Sequence, residues 1–324
     1  MLFRSPAELR VSDPADLPVA PTPNPAPVMG RNLALGAVAA CALIWGTTWF
    51  AITFQLGVVP PLVSVVWRFA MAAGVLFIGC ILTRRSLRLT RGQHLAAFGQ
   101  GAMAFALSYA CVYSAEEKVT SGVVAVAFAT MALMNLILFR VVAGQKAAPV
   151  VWLGAGLGAV GVIVLTGGEL FGARLGPDAG TGVALALLAS AASTIGNYFA
   201  WRGQQQGSMI LPSTAWAMAY GAALLAVIGL ATGVQWAFQP TLAYVGSLIY
   251  LAVFGSVIAF VLYFALARSR GFTLASYIGA LTPIIAMLVS VVFEDARFGW
   301  SAAAGLALVV LGQFLIIRAP KTAD

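Results

Sequence analysis

Two basic side chains stand out because they lie within or beside long apolar stretches. Arg68 is the only charged residue inside a predicted membrane span, and His94 is the only histidine. An ionisable residue in a span is a functional candidate by default. Arg68 lies about two turns from the predicted external end of its helix, so a gating or structural role with the side chain reaching outward is favoured. His94 begins the third helix at the predicted cytoplasmic mouth, either as a pH or substrate sensor or as a solvated helix-start residue.

Polar and aromatic side chains recur at helical spacing along several apolar stretches. Ser190, Thr194 and Asn197 fall on one helix face, and Trp201 continues it. Because a polar group in lipid is costly without a partner, such faces turn towards other helices or a cavity. Packing between helices is the alternative use of these residues. The residues predicted to bind substrate are Thr48, Trp49, Tyr109, Tyr113, Asn197, Trp201, Trp216, Tyr220 and Tyr277.

These side chains favour binding over catalysis. Hydroxyl, amide and aromatic groups suit an uncharged or zwitterionic amphipathic solute of amino-acid size. The sequence shows no nucleophile with a base, no metal-ligand cluster and no P-loop, so we predict no catalytic residue, metal or cofactor. No Asp, Glu or Lys lies within a predicted span, and we therefore expect facilitated rather than ion-coupled transport.

The composition places these residues in a membrane protein. Of the 324 residues, 61% are hydrophobic and only 9% are charged, whereas a soluble domain carries about 25% charged residues. The net charge of +8 comes from basic residues between the apolar stretches. That placement is typical of membrane orientation signals and argues against a nucleic-acid partner. The three cysteines lie within apolar stretches and are predicted to be buried thiols.

The apolar stretches predict an all-α membrane protein of ten transmembrane helices, since each span needs roughly 20 apolar residues. A proline-rich segment, residues 1–31, precedes them and is predicted to be a disordered cytoplasmic tail. The predicted helices are Leu33–Phe54, Leu62–Thr83, Leu95–Ser114, Thr120–Phe139, Val150–Thr166, Gly182–Trp201, Leu211–Thr232, Leu242–Ala267, Phe272–Phe293 and Trp300–Ile317.

The basic residues also predict the orientation. With ten spans, fourteen lysines and arginines fall on one side of the membrane and three on the other. Short cytoplasmic segments carry the excess of basic residues, so both termini are predicted to be cytoplasmic.

Residue pairs separated by a nearly constant distance indicate an internal duplication. Because each unit would contain five helices, an odd number, the second unit must be inverted relative to the first. The two repeats are assigned to residues 32–167 and 181–318, around a central cavity. The pairs are Gly46 with Gly196, Pro61 with Pro212, Tyr113 with Tyr263, Phe139 with Phe293, Gly154 with Gly305 and Gly161 with Gly312.

Three short segments resemble the drug/metabolite transporter superfamily in its EamA-repeat form. Leu43–Phe50 (LIWGTTWF) is similar to its first helix, Trp67–Phe69 to its second, and Leu281–Ile284 to the fourth helix of its second repeat. In the first repeat, Ala129–Met131 and Arg140 depart from the pattern. The resemblance implies a basket of helices around a cavity, with helices 5 and 10 set apart from its wall. The low charge and many aromatic residues most resemble the aromatic amino acid exporters of that superfamily.

We therefore predict a secondary transporter that exports neutral and aromatic amino acids by alternating access. Its partners would be amino acids and the lipid bilayer of a bacterial inner membrane, and the protein would be a monomer or weak homodimer. One alternative is an exporter of other small metabolites or drugs. An alternative from another class is a passive pore or scaffold, which would not saturate or show counterflow.

Overall fold

A computed structural model describes residues 29–144, 146–171, 177–270, 272–297 and 299–319, which form helices and their connections and contain no β-strand. The predicted tail falls almost entirely outside the described residues. Helix α8 consists of three consecutive segments, Leu242–Ile249, Tyr250–Ile258 and Ala259–Arg270. The other helices are α1 (Arg31–Thr53), α2 (Pro61–Leu82), α3 (Arg91–Glu116), α4 (Ser121–Ala143), α5 (Pro149–Phe171), α6 (Ala179–Gln205), α7 (Ile210–Ala231), α9 (Phe272–Phe293) and α10 (Trp300–Arg318).

Most of these helices have the length and apolarity of membrane spans. Among the described residues, eight are long and apolar enough to cross a membrane. Helices α5 and α9 contribute shorter apolar stretches, Pro149–Leu165 and Leu281–Phe293. The predicted all-helical membrane protein is confirmed, and the crossing of the membrane by ten helices stays a prediction.

The difference from the predicted boundaries that bears on function is in α3. The helix begins at Arg91, where Thr90 and Gln93 form a reciprocal capping box. It continues to Glu116 instead of ending at Ser114, and Glu116 turns into the bundle, where only 8% of its surface is exposed. The prediction that no acidic residue lies within a span is therefore wrong.

Helices α3 and α8 share an irregularity at matching positions. Each contains a π-helical segment, Gly101–Leu107 in α3 and Tyr250–Ile258 in α8. These two segments end 151 residues apart. A π-helical segment changes the face that the following turns present, and such segments are frequent at functional sites.

The same separation relates contacts between helices. A Cβ atom built on Gly196 of α6 would lie 2.5 Å from the Cβ of Ala104 in α3, so these helices approach closely. The residues 151 positions away from these two are Trp45 and Gly255, and they also meet. The Trp45 indole N–H donates to the Gly255 carbonyl over 3.1 Å, joining α1 to α8.

Helices α5 and α10 pack through two glycine contacts that are also related by a separation of 151 residues. A Cβ on Gly154 would lie 2.5 Å from the Gly312 carbonyl oxygen, and a Cβ on Gly161 would lie 2.5 Å from that of Gly305. Residue numbers rise along one helix as they fall along the other, so the two helices are antiparallel. Small residues allow this close approach of backbones.

Contacts of α1 with α9 fix which helix ends lie together. Gly46 meets Ile285, and the rings of Phe50 and Phe293 stack at 5.3 Å, so the two helices run in the same direction. We call the end of the bundle where α1 begins the proximal end, and the end where α1 and α9 finish the distal end. Helix α10 runs back from the distal end, which places Ala319 at the proximal end with Met29.

Candidate substrate cavity

A cavity of about 500 Å³ lies between the helices. This volume is within the range of small-molecule sites, about 300–1,000 Å³. The cavity begins at Arg68 on α2 and reaches Lys146 and Ile316 at the proximal end. Among the described residues, its wall includes no carboxylate.

Arg68 lies at the inner end of this cavity and is 1% exposed. Its Nε–H donates to the Ser256 hydroxyl at 3.2 Å and an Nη1–H donates to the Tyr113 hydroxyl at 3.5 Å. The guanidinium carbon also lies 4.6 Å from the centre of the Tyr109 ring. The prediction that Arg68 reaches outward from the bundle is wrong, because these hydroxyls and the ring face replace water around the cation.

Aromatic side chains form much of the cavity wall. Trp45 packs edge-on against Phe260 at 5.3 Å, and Trp49 packs against Phe128 at 4.9 Å. The indole N–H of Trp49 is enclosed and has no hydrogen-bond partner among the described residues. Such walls accept flat or apolar parts of a ligand, and ring faces also attract cations.

Two amides from different halves of the chain meet in the middle of the wall. The Asn197 side-chain N–H of α6 donates to the Asn135 side-chain oxygen of α4 at 3.3 Å. An amide has two donors and an acceptor with two lone pairs, so this single bond leaves donors and acceptors for a ligand. Ser193, one turn before Asn197, shares a hydrogen bond with Ser108 at 2.8 Å.

Backbone irregularities also face the cavity. Pro283 in α9 lacks the N–H that would bond the carbonyl of Gly279, and both residues line the wall. Ala104 and Phe105, in the π-helical segment of α3, line it as well. Helices interrupted in this way often contribute to the binding sites of transporters.

The proximal mouth includes parts of α5 and α10. Val151 of α5 and Gln313 and Ile316 of α10 line the cavity there, beside Lys146. The expectation that helices 5 and 10 stand apart from the cavity is therefore wrong at their proximal ends. The close α5–α10 packing brings both helix ends to the same edge of the cavity.

Residues 32–167 and 180–318 match the EamA-like transporter family. The chain belongs to this family. The inner membrane transporter YedA of Escherichia coli strain K12 is 29% identical over 302 residues, which cover 89% of this chain and 94% of YedA. Protein PecM of Dickeya dadantii is 25% identical, with coverage of 85% and 88%. A crystal structure with 19% identity has a TM-score of 0.65 and covers 89% of this chain and 98% of its own, which supports the fold alone.

Membership of the EamA-like family makes the chain a transporter and not an enzyme. The two matched segments divide the chain close to where the sequence analysis places its two repeats. The cavity lies between helices from both segments, with Trp49 and Arg68 from the first and Asn197 and Tyr263 from the second.

The predicted substrate-binding residues fall into two groups. Those that line the cavity are Thr48, Trp49, Tyr109 and Asn197. Tyr113 lies next to the cavity, where its hydroxyl accepts from Arg68. The side chain of Tyr277 lies outside the described residues.

The other three predicted residues pack elsewhere. Trp201 lies against Phe139 with ring centres 5.9 Å apart. Trp216 and Tyr220 surround His94, with the Tyr220 hydroxyl 2.9 Å from His94 Nδ1. We call His94, Trp216 and Tyr220 the proximal aromatic cluster. It joins the start of α3 to α7, so His94 is placed in a packed cluster instead of at the cavity mouth.

Two prominent wall residues, Trp45 and Phe260, were absent from the predicted set. Trp45 precedes Thr48 and Trp49 by three and four positions. This spacing puts it on the same helix face as both, and the rule used for α6 would have included it. Phe260 follows the π-helical segment of α8, whose altered turn is not visible in the hydrophobic pattern.

Proposed function

We propose that the chain is a secondary transporter that exports neutral and aromatic amino acids across the inner membrane by alternating access. The observation that carries this proposal is a cavity with one buried guanidinium, a pair of amides and an apolar wall that includes several aromatic rings. These three features match the three parts of an aromatic amino acid.

The substrate carboxylate is assigned to Arg68. A guanidinium has five N–H donors, and the described contacts of Arg68 use one on Ser256 and one on Tyr113. The remaining donors can bind a carboxylate, and charge-assisted bonds of this kind are roughly twice as strong as neutral ones. Because the described wall contains no carboxylate, nothing in it competes for the cation.

The ammonium group and side chain are assigned to the rest of the wall. Free acceptor capacity on Asn135 and Asn197 and the ring faces of Trp45 and Trp49 suit an ammonium group. The aromatic surface around Phe128 accepts an apolar or aromatic side chain. Broad selectivity among amino acids follows, because packing against rings discriminates weakly between side chains of similar size.

Alternating access is supported by the relation between the two halves. Contacts that map onto one another at a separation of 151 residues are expected of two repeats related by a pseudo-two-fold axis. We propose that the repeats are inverted in the membrane and exchange conformations. The cavity reaches the proximal end, which is cytoplasmic in the predicted orientation, so this conformation would load substrate from the cell interior.

Counterflow in proteoliposomes tests the proposal. Vesicles preloaded with an unlabelled neutral or aromatic amino acid should accumulate the labelled amino acid transiently and saturably. Trp49→Ala should reduce counterflow strongly, whereas Trp300→Ala, the same substitution at an exposed residue outside the cavity wall, should not. Non-saturating flux would favour a pore, and counterflow with other metabolites but no amino acid would contradict the substrate assignment.

A further inference from the structure

A buried glutamate lies at the distal end of the bundle. Glu116 is in the last turn of α3, four residues beyond Val112 of the cavity wall. Its side chain is 8% exposed, and both carboxyl oxygens are enclosed without a hydrogen-bond partner among the described residues. Polar groups in such a position are uncommon, since most buried ones are hydrogen-bonded.

The charged groups around Glu116 come from two other helices. Glu294, at the end of α9, accepts from the Ser121 hydroxyl at 2.7 Å and from the Ser121 backbone N–H at 3.4 Å. The positive charge of Arg68 on α2 attracts the Glu116 carboxylate from the cavity side. Tyr113 of α3 lies one turn before Glu116 and is bonded to Arg68. We call Glu116, Ser121 and Glu294 the distal junction, because they lie where the ends of α3 and α9 meet the start of α4.

Among the described residues, no basic group donates a hydrogen bond to Glu116 in this conformation. The salt bridge found among the described residues joins Lys118 to Asp178 at 4.0 Å on the surface, and it does not involve Glu116. Arg68 is instead bonded to Ser256 and Tyr113. Burial of an unpaired carboxylate is unfavourable, and the negative charge of Glu294 adds repulsion. Burial and the negative charge of Glu294 therefore favour the neutral form of Glu116 in the closed distal junction, while the positive charge of Arg68 acts in the opposite sense.

We propose that Glu116 is a proton-binding site whose occupancy is coupled to closure of the distal junction. On closing, one carboxylate oxygen binds a proton from water on the distal side. On opening, the carboxyl is hydrated and returns that proton to the same side. The inference rests on the proposed alternating access, because it treats the distal junction as the barrier that opens in the other conformation.

The expected pH dependence follows from linkage. Closure takes up one proton wherever the open form is ionised and the closed form neutral, so lower pH favours the closed form. Over that range the ratio of closed to open molecules changes by up to about tenfold per pH unit. The response belongs to pH on the distal side, since the half-buried Glu294 connects the distal junction to that surface.

Infrared spectroscopy of the full chain in lipid nanodiscs tests the proton directly. The wild type should show the carbonyl band of a protonated carboxylic acid, weakening as the pH rises from 5 to 9. Glu116→Gln should remove this band. Glu117→Gln, the adjacent and exposed glutamate, should retain it. A wild-type spectrum without a band that depends on Glu116 would overturn the proposal.

Spin labels across the distal junction test the coupling. Glu117 and Arg297 are exposed, so the cysteines of a Glu117→Cys, Arg297→Cys double variant can be labelled. The labelling is selective because Cys41, Cys80 and Cys111 are buried. In the wild type, the short-distance population should grow as the pH falls. With Glu116→Gln it should dominate at every pH, because the amide is a neutral mimic of the protonated acid.

Three outcomes would overturn the coupling: a pH dependence that persists in Glu116→Gln, distances that do not respond to pH in the wild type, or a response to Na⁺ instead of pH. These measurements need no substrate. Amino acid counterflow on the same preparations tests the proposed function separately, so that either idea can fail alone.

Discussion

Replacing Arg68 by glutamine removes the cation at the inner end of the cavity while keeping a polar side chain there. In the structure the guanidinium is 1% exposed and lies in the cavity wall beside Tyr109. If a substrate carboxylate binds this group, Arg68→Gln should weaken carboxylate binding specifically. The matched change on the ligand is an amino acid amide, such as phenylalaninamide in place of phenylalanine, which removes the carboxylate charge.

The magnitude follows from the burial of the pair. Removing one partner of a buried, hydrogen-bonded charge pair costs about 2–5 kcal/mol. A loss of about 3 kcal/mol corresponds to roughly a 150-fold weaker Kd, since each 1.4 kcal/mol is tenfold. Arg68→Gln also loses the bonds to Ser256 and Tyr113, and this disturbance affects both ligands. A double-mutant cycle over variant and ligand subtracts the shared part.

The assay is binding of phenylalanine and phenylalaninamide to wild type and Arg68→Gln by calorimetry in detergent or nanodiscs. We expect a coupling free energy of at least about 2 kcal/mol, with Arg68→Gln weakening phenylalanine far more than the amide. Arg202→Gln, which removes an exposed arginine at the proximal end of α6, should show no coupling. Equal losses for the two ligands would refute the assignment of the carboxylate to Arg68.

Three further predictions concern packing and orientation. Gly154→Ala should destabilise the protein by about 1–3 kcal/mol in thermal unfolding, because the added methyl group overpacks the contact with α10. Gly156→Ala, which has open space at its Cβ, should not destabilise it. Equal effects of the two substitutions would contradict the close α5–α10 packing. Tyr220→Phe should lower stability by about 0.5–1.5 kcal/mol by losing its bond to an imidazole, yet leave substrate Kd unchanged, so an altered Kd would place the proximal aromatic cluster in the site. A cysteine at Leu33 should be labelled only from the cytoplasm and one at Val58 only from outside; the reverse pattern would invert the orientation.

The helices were predictable because a lipid bilayer restricts the backbone conformations that can cross it. A backbone in hydrocarbon must satisfy its own hydrogen bonds, so long apolar stretches become helices whatever their detailed sequence. The end of α3 was missed for a physical reason as well. Two consecutive glutamates predict a helix end in water, yet Glu116 turns into the bundle and Glu117 turns to the surface. The sequence alone does not show which of the two is buried.

The cavity was predictable only in part, because helical spacing identifies a face and not what the face meets. Thr48 and Trp49 on α1 line the cavity, whereas Trp216 and Tyr220 on α7, with an equally suggestive spacing, pack around His94. The position of Arg68 depends on hydroxyls and rings from α3 and α8. Those partners are distant in sequence, so the inward turn of the side chain had no local signal.

The relation between the two halves also shows where they differ. At a separation of 151 residues, the counterparts of Arg68 and Glu116 are Ala219 and Ala267, and the pairing of Phe139 with Phe293 makes Arg140 the counterpart of Glu294. The backbone contacts therefore repeat while the charged groups do not. Two repeats with equivalent packing can exchange conformations, but a proton can act through Glu116 only at the distal end. Under the proposed alternating access, duplication would account for the exchange between two open forms, and Glu116, which the second repeat does not match with an acidic residue, would make the two ends respond differently to pH.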